Sequence, residues 1–269
     1  MPKVILVSGA TSGIGKVCAE MLAQKGYRVY ATGRRVDPAG EKKGAYQLVQ
    51  CDVTDHKSVE ECIARIIGEA GRIEVLVNCA GFGLGGAVEE TTVEEAKMQF
   101  ETNFFGTHRM CREVMPVMRN QGGGMIITVS SVAAEFTIPY QSFYSSSKMA
   151  LDGLTQAIRM EGKPFGIIAA CVNPGDVKTG FTAARHQAAA CQPGSPYYRL
   201  TMKSIETMKK DEMNGMDPQR VAQMVCRLVE KKRLKPKYFI ESQYKLVMVL
   251  KRILPTQTVE TLLRKMYAE

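Results

Sequence analysis

Residues 3–15 read KVILVSGATSGIG. An apolar run ends in a glycine-rich turn, and behind the turn Ile14, Val17, Cys18, Met21 and Leu22 recur at helical spacing. This predicts a buried strand over 3–8, a tight turn, and a helix over 13–25. Glycines at 9, 13 and 15 allow the backbone to turn sharply and to approach a ligand closely. The free N–H groups and the positive dipole end of the helix that follows suit a pyrophosphate. Gly9, Ser12, Gly13, Ile14 and Gly15 are therefore the candidate phosphate cradle. Their spacing, GxxxGxG, differs from the commoner GxGxxG. Their place between the first strand and the first helix carries the reading.

Outward from this unit the chain keeps alternating. Short β-branched runs at 27–32, 45–51, 74–77, 125–129 and 167–172 predict strands. Amphipathic stretches at 57–70, 94–120, 141–162 and 218–231 predict helices, the second of them bent near Gly106 and Pro116. A last strand is expected at 238–240. Alternation with near-continuous apolar strands implies an α/β fold: a single Rossmann-type, doubly wound parallel sheet with helices on both faces. One domain over 1–269 is expected. Within it, 180–216 reads as a polar, Met-rich, poorly periodic substrate flap, and 243–267 as an amphipathic helical tail broken at Pro255.

Composition narrows the function classes. The chain has no apolar run near the roughly 18 residues that a membrane-spanning helix needs. Eight cysteines without CxxC spacing and only three histidines argue against a zinc site or a disulfide framework, so no metal and a reducing cytoplasm are expected. The net charge of +9 is uneven: residues 199–269 hold 16 Lys and Arg against 8 Asp and Glu. No helix-turn-helix or zinc pattern accompanies that charge, so nucleic acid is not the expected partner.

The second strand ends in Ala31-Thr32-Gly33-Arg34-Arg35, with no acid before Asp37. NAD-binding chains usually place Asp or Glu near this point to bind the ribose 2′-OH. Two guanidiniums suit a 2′-phosphate instead, which makes NADP(H) the expected cofactor. Further along, Tyr144 and Lys148 lie four apart on a predicted helix and share a face, while Ser131 ends the fifth strand. Reducing a carbonyl needs a proton donor, a second hydrogen bond to the oxygen, and a means of lowering the donor's pKa. A tyrosine, a serine and an adjacent ammonium supply these.

Gly9, Gly13, Gly15, the run Asn78-Cys79-Ala80-Gly81, Asn103, Ser131, Tyr144, Lys148 and Asn173-Pro174-Gly175 occur in an order and spacing that resemble the short-chain dehydrogenase/reductase family over about residues 3–180. The resemblance implies Tyr144 as general acid/base and Ser131 as the group positioning the substrate oxygen. It implies Lys148 on the nicotinamide ribose, depressing the Tyr144 pKa, and Asn103 holding a water in a proton relay. Asp52 and Val53 would flank the adenine, and Asn78, Ala80 and Gly81 would line the adenosine-ribose side. Pro174, Gly175, Val177 and Thr179 would contact the nicotinamide end. Ser8 stands where the family usually has Thr, Cys79 where it has Asn, and Glu135 where a small residue is common. Dimers or tetramers paired through 94–120 and 141–162 are also implied.

Phe82–Gly86 and the methionines and aromatics of 180–216 suggest a pocket for a lipophilic alcohol or ketone, similar to the hydroxysteroid and retinol dehydrogenase branch. A hydroxysteroid is the expected substrate, with acyl-glycerone phosphates, retinoids or small ketones as alternatives. A non-catalytic NADP(H) sensor would typically lack Tyr144 or Lys148. In the tail, Tyr244, Leu246, Val247, Leu250, Ile253 and Leu254 lie beside Lys245, Lys251 and Arg252. Such a helix either covers the substrate cleft or a neighbouring subunit, the favoured reading, or rests on an anionic membrane surface.

Overall fold

In the computed structural model, which describes residues 1–269 apart from the side chain of Lys245, the opening run is β1 (Val4–Ser8), buried along its whole length. The glycine turn leads into α1 (Gly13–Gln24) and β2 (Arg28–Gly33). A hairpin of β3 (Glu41–Lys43) and β4 (Tyr46–Gln50) precedes α2 (His56–Ala70) and β5 (Val75–Asn78). After β6 (Leu84–Gly85), α3 (Val93–Phe100) runs through a π-helical turn at Glu101–Phe105 into α4 (Gly106–Asn120). Then come β7 (Gly124–Val129), α5 (Ser142–Glu161), β8 (Ile167–Asn173) and β9 (His186–Gln187). The last part holds α6 (Tyr198–Met213), α7 (Pro218–Val229), β10 (Lys237–Phe239), α8 (Ser242–Ile253) and α9 (Thr256–Tyr267).

Eight strands form one sheet in the order β10-β8-β7-β5-β1-β2-β4-β3, parallel except for β3. Alternate residues of β1 face opposite cores. Ile5 and Val7 join α1 and α7 residues on one side, and Val4 and Leu6 join α2 and α4 residues on the other. That two-sided burial is why the strand reads as a continuous apolar run. Chain order reverses at β1, whose neighbours are β2 and β5, so a crevice opens beyond the carboxyl ends of these strands.

Three local expectations change. The β3–β4 hairpin was not expected, because Glu41–Lys43 is wholly exposed and polar and leaves no apolar alternation to read. The long helix is interrupted by a π turn at Glu101–Phe105, just before Gly106, while Pro116 is carried inside α4. The 180–216 segment is not an irregular flap. It holds β9, paired with β6, and the 16-residue α6. Two of the three buried positions of α6, Thr201 and Ser204, are small and polar, so no apolar stripe marks the helix in the sequence; Met208 is the third.

Gly9 has a φ of 63°, and a Cβ there would lie 2.6 Å from the Ala80 Cα. Gly9→Ala is expected to lower stability by about 2 kcal/mol or more, read as a fall in Tm. An unchanged melt would mean that the turn relaxes without strain.

Candidate active site

The crevice is a cavity of about 620 Å³ reached by the glycine turn, by the ends of β2, β5 and β7, and by α5, α6 and α9. At one end stand Arg34, Arg35, Asp52 and Val53, and at the other Ser131, Tyr144 and Lys148. The first bond at the start of α1, Lys16 N–H to Ser12 O, leaves the N–H groups of Gly13, Ile14 and Gly15 without an intrahelical acceptor. Ser12 makes no side-chain cap over them. These open donors, in a glycine turn lining the cavity, fit a dinucleotide pyrophosphate. Among the described residues neither Arg34 nor Arg35 enters an ion pair, and both are exposed. Asp37 turns back to accept from the Ala39 N–H.

Ser8 ties two parts of the cavity wall together. Its Oγ accepts from the Cys79 N–H at 3.2 Å and the Ala80 N–H at 3.5 Å, tying the NCAG turn to β1. Ala80 and Gly81 line the cavity as expected, but the Asn78 side chain does not. It points into the core, where Nδ2 donates to Cys111 Sγ at 3.4 Å. Asn103 also lies behind the cavity wall. Its Nδ2 donates to Phe82 O and Ser147 Oγ, and its Oδ1 accepts from the Phe82 N–H. With both amide hydrogens held by protein, the side chain anchors the Phe82 backbone.

Tyr144 enters on the first turn of α5, four residues after Tyr140, whose φ of 61° is the left-handed value that non-glycine residues rarely adopt. Lys148 is one turn on, buried, and donates from Nζ to Val129 O at 3.0 Å. Ser131 caps the short 3-10 turn Val132–Ala134 by accepting from the Ala133 N–H. Its carbonyl is held by Asn173 Nδ2, which also reaches the buried Asp152.

Burial dominates the titration of these groups. It pushes the Tyr144 hydroxyl up to about 12, against a hydrogen bond with Ser131 that opposes the rise. Burial also brings Lys148 down to about 8. The Lys148 Nζ lies 5.7 Å from the Tyr144 ring centroid and is bonded to Val129 O.

Sequence reasoning missed the charge beside Tyr144. Glu212 and Asp176 both raise its pKa, and Arg185 lowers it. Glu212 is paired with Arg185 and bonded to Thr182. Asp176 has no cationic partner among the described residues; only the Tyr244 hydroxyl donates to it, at 3.4 Å. Burial, Asp211 and Glu212 raise its carboxyl to about 6. The signal available was an acid placed directly after Pro174-Gly175. Of the methionines and aromatics expected in the walls between 180 and 216, Phe181 and Met208 line the cavity. Met213 is exposed at the end of α6, and Met216, beyond that helix, is in the core. Glu135 does not reach this cavity; it pairs with Lys237 and Lys251 at a second cleft.

A doubly wound sheet with an open dinucleotide cradle at its switch point, and a tyrosine, a serine and a lysine converging at the far end, defines a class: oxidoreductases acting on CH–OH and C=O groups. The chain belongs to the short chain dehydrogenase family, whose model matches residues 3–190. It is 41% identical over 231 residues to the 3-ketodihydrosphingosine reductase of Bacteroides thetaiotaomicron, covering 86% of this chain and 85% of that one. It is 31% identical to human retinol dehydrogenase 8, over 86% of this chain and 79% of the relative. A short-chain dehydrogenase from Streptomyces avermitilis superposes with a TM-score of 0.82 at 28% identity, over 94% and 93% of the two chains.

Proposed function

We propose that the chain uses NADPH to reduce the ketone of a lipophilic amine, the class to which 3-ketodihydrosphingosine belongs. The observation that carries this reading is Asp176, a mostly buried carboxylate without a cationic partner in the same cavity as Tyr144 and Ser131. In such an aminoketone an ammonium group sits one carbon from the carbonyl. With the carbonyl oxygen between Ser131 and Tyr144, that ammonium would lie in the cavity that Asp176 lines, and the Asp176 charge already acts on the Tyr144 hydroxyl. The 41% identity to a 3-ketodihydrosphingosine reductase supports the same class. A neutral hydroxysteroid remains the second reading, supported by the apolar contribution of Phe82, Phe181 and Met208 to the wall.

The cofactor supplies the hydride. The Tyr144 hydroxyl, kept neutral by burial, gives its proton to the carbonyl oxygen, and Ser131 Oγ donates the second hydrogen bond. Lys148 then stabilises the phenolate left on Tyr144. Gly9 and Gly13–Gly15 would hold the pyrophosphate, Asp52 and Val53 the adenine, and Pro174, Val177 and Thr179 the nicotinamide end. Arg34 and Arg35 would bind the 2′-phosphate. Replacing both arginines with Ala is expected to weaken NADPH about 100-fold, with NADH changed by no more than about threefold. Equal losses in a fluorescence titration would reduce both residues to surface charge.

The test is NADPH consumption with 3-ketodihydrosphingosine, its N-acetyl derivative, and a steroid ketone. The free amine should exceed the neutral amide by at least about tenfold in kcat/KM, the value of one charge-assisted contact. Equal rates for amine and amide would remove the cation, and a faster steroid would restore the hydroxysteroid reading.

A further inference from the structure

The tail has two faces. Tyr244 and Met248 of α8 turn inward, where the Tyr244 ring lies so close to Gly175 that a Cβ there would be 2.1 Å from the ring. Tyr267 of α9 lines the catalytic cavity, α9 packs on α6, and the carbonyl of Glu269 accepts from Lys203. The inner side of the tail therefore lies against the cleft. The opposite side of α8 is apolar too. Leu246, Val249, Leu250 and Ile253 follow i, i+3, i+4, i+7 spacing and are 43% to 74% exposed, and Leu262 and Met266 of α9 are exposed at i, i+4. An outward apolar stripe on a helix is uncommon for a surface in water.

We propose that this outer face of α8 and α9 docks on an anionic lipid surface, so that the element roofing the cavity is also the membrane contact. Charge selects this occupant. Residues 242–267 carry five Lys and Arg and a single acid, Glu260, within a quarter of the chain that is strongly positive. Lys251 is turned to Glu135 and Arg264 to Glu269, while Arg252 and Lys265 are exposed and enter no ion pair among the described residues. An apolar stripe flanked by cations matches anionic headgroups above acyl chains. A second copy docked here would bring two such positive quarters together. No helix among the described residues is long and apolar enough to cross a membrane, so the contact is peripheral. Tyr244 and Tyr267 place it beside the cavity mouth, where a lipid ketone leaving a bilayer would enter.

The experiment is flotation of the intact chain with vesicles of phosphatidylcholine alone or with phosphatidylglycerol, without any ketone, so its result is separate from the substrate assay. The wild type should float with the anionic vesicles, lose binding as salt is raised, and ignore the neutral ones. Leu250→Glu with Ile253→Glu, both on the solvent side, should cut flotation by at least about tenfold while keeping turnover of a small soluble ketone. Equal flotation with both vesicle types, no flotation, or unaltered flotation of the variant would overturn the proposal. So would a change of oligomeric mass in the variant without vesicle binding, which would make the face an interface between copies. Should the variant misfold, the lipid and salt dependence of the wild type alone decides.

Discussion

Tyr144→Phe is expected to lower kcat by about 1,000-fold, with NADPH affinity within a factor of about three of the wild type. The substitution removes one oxygen and keeps the ring that packs against Phe181 at 5.6 Å between centroids. What disappears is the hydroxyl that burial holds neutral, at about 12, and that hydrogen-bonds with Ser131. The remaining Ser131 hydroxyl can donate a hydrogen bond but is a poor source of a proton. A single-turnover measurement separates the two effects, because NADPH binds before chemistry and its fluorescence reports binding alone. Wild-type turnover in this variant would move the acid to another group. Ser131→Ala should cost less, about 100-fold, because it loses positioning and not the proton.

Asp176→Asn carries the second large effect, and it acts in opposite directions on activity and stability. For an aminoketone, kcat/KM should fall about 100-fold, since a desolvated carboxylate–ammonium contact is lost. For a neutral ketone it should hold or rise. The stability change follows from the raised carboxyl at about 6. The folded chain holds this proton more tightly than the unfolded chain, whose Asp titrates near 4. Protonated Asp176 therefore adds stability at low pH, and that contribution is lost as pH rises through about 6. Asn cannot ionise, so above pH 7 the variant should melt about 3–5 °C higher than the wild type, and near pH 4 about equally. A variant that melts lower at every pH would show Asp176 to be a structural bond to Tyr244. One that lowers rates on amine and neutral ketone alike would show a general loss of cavity shape.

The membrane face and the acidic pocket concern the same elements from opposite sides. Tyr244 touches Asp176 and Gly175 from above, and its helix turns Leu250 and Ile253 outward. A lipid amine partitioned in an anionic surface would meet Asp176 once it passed beneath the tail. The two proposals remain separately testable, one by vesicles and one by substrate charge.

How much of this was legible in the sequence depended on range. The glycine turn, the parallel strands and the Tyr144–Lys148 pair are written in patterns a few residues long: an apolar run, three glycines, a spacing of four on a helix. The arginines at the end of β2 needed only their neighbours in the chain. Where a side chain points from the edge of an element was not legible. Asn78 and Asn103 have the expected identities but face Cys111 and Phe82, because a sheet and a π turn set their directions. The helix α6 was hidden because its inward positions are Thr201 and Ser204, residues whose burial depends on what packs over them. Local pattern likewise could not choose between the two faces of α8, since both are apolar, and only the position of Gly175 makes the Tyr244 side the inner one. The titration of Tyr144, Lys148 and Asp176 was the least legible of all. The sequence by itself determined the central parallel strands with their main helices, the glycine turn and which reactive groups exist, since these follow from local periodicity and steric freedom. The tertiary structure alone decided the charge and orientation of those groups, because desolvation and Coulomb fields sum over residues such as 131, 176, 185 and 212 that meet only when the chain is folded.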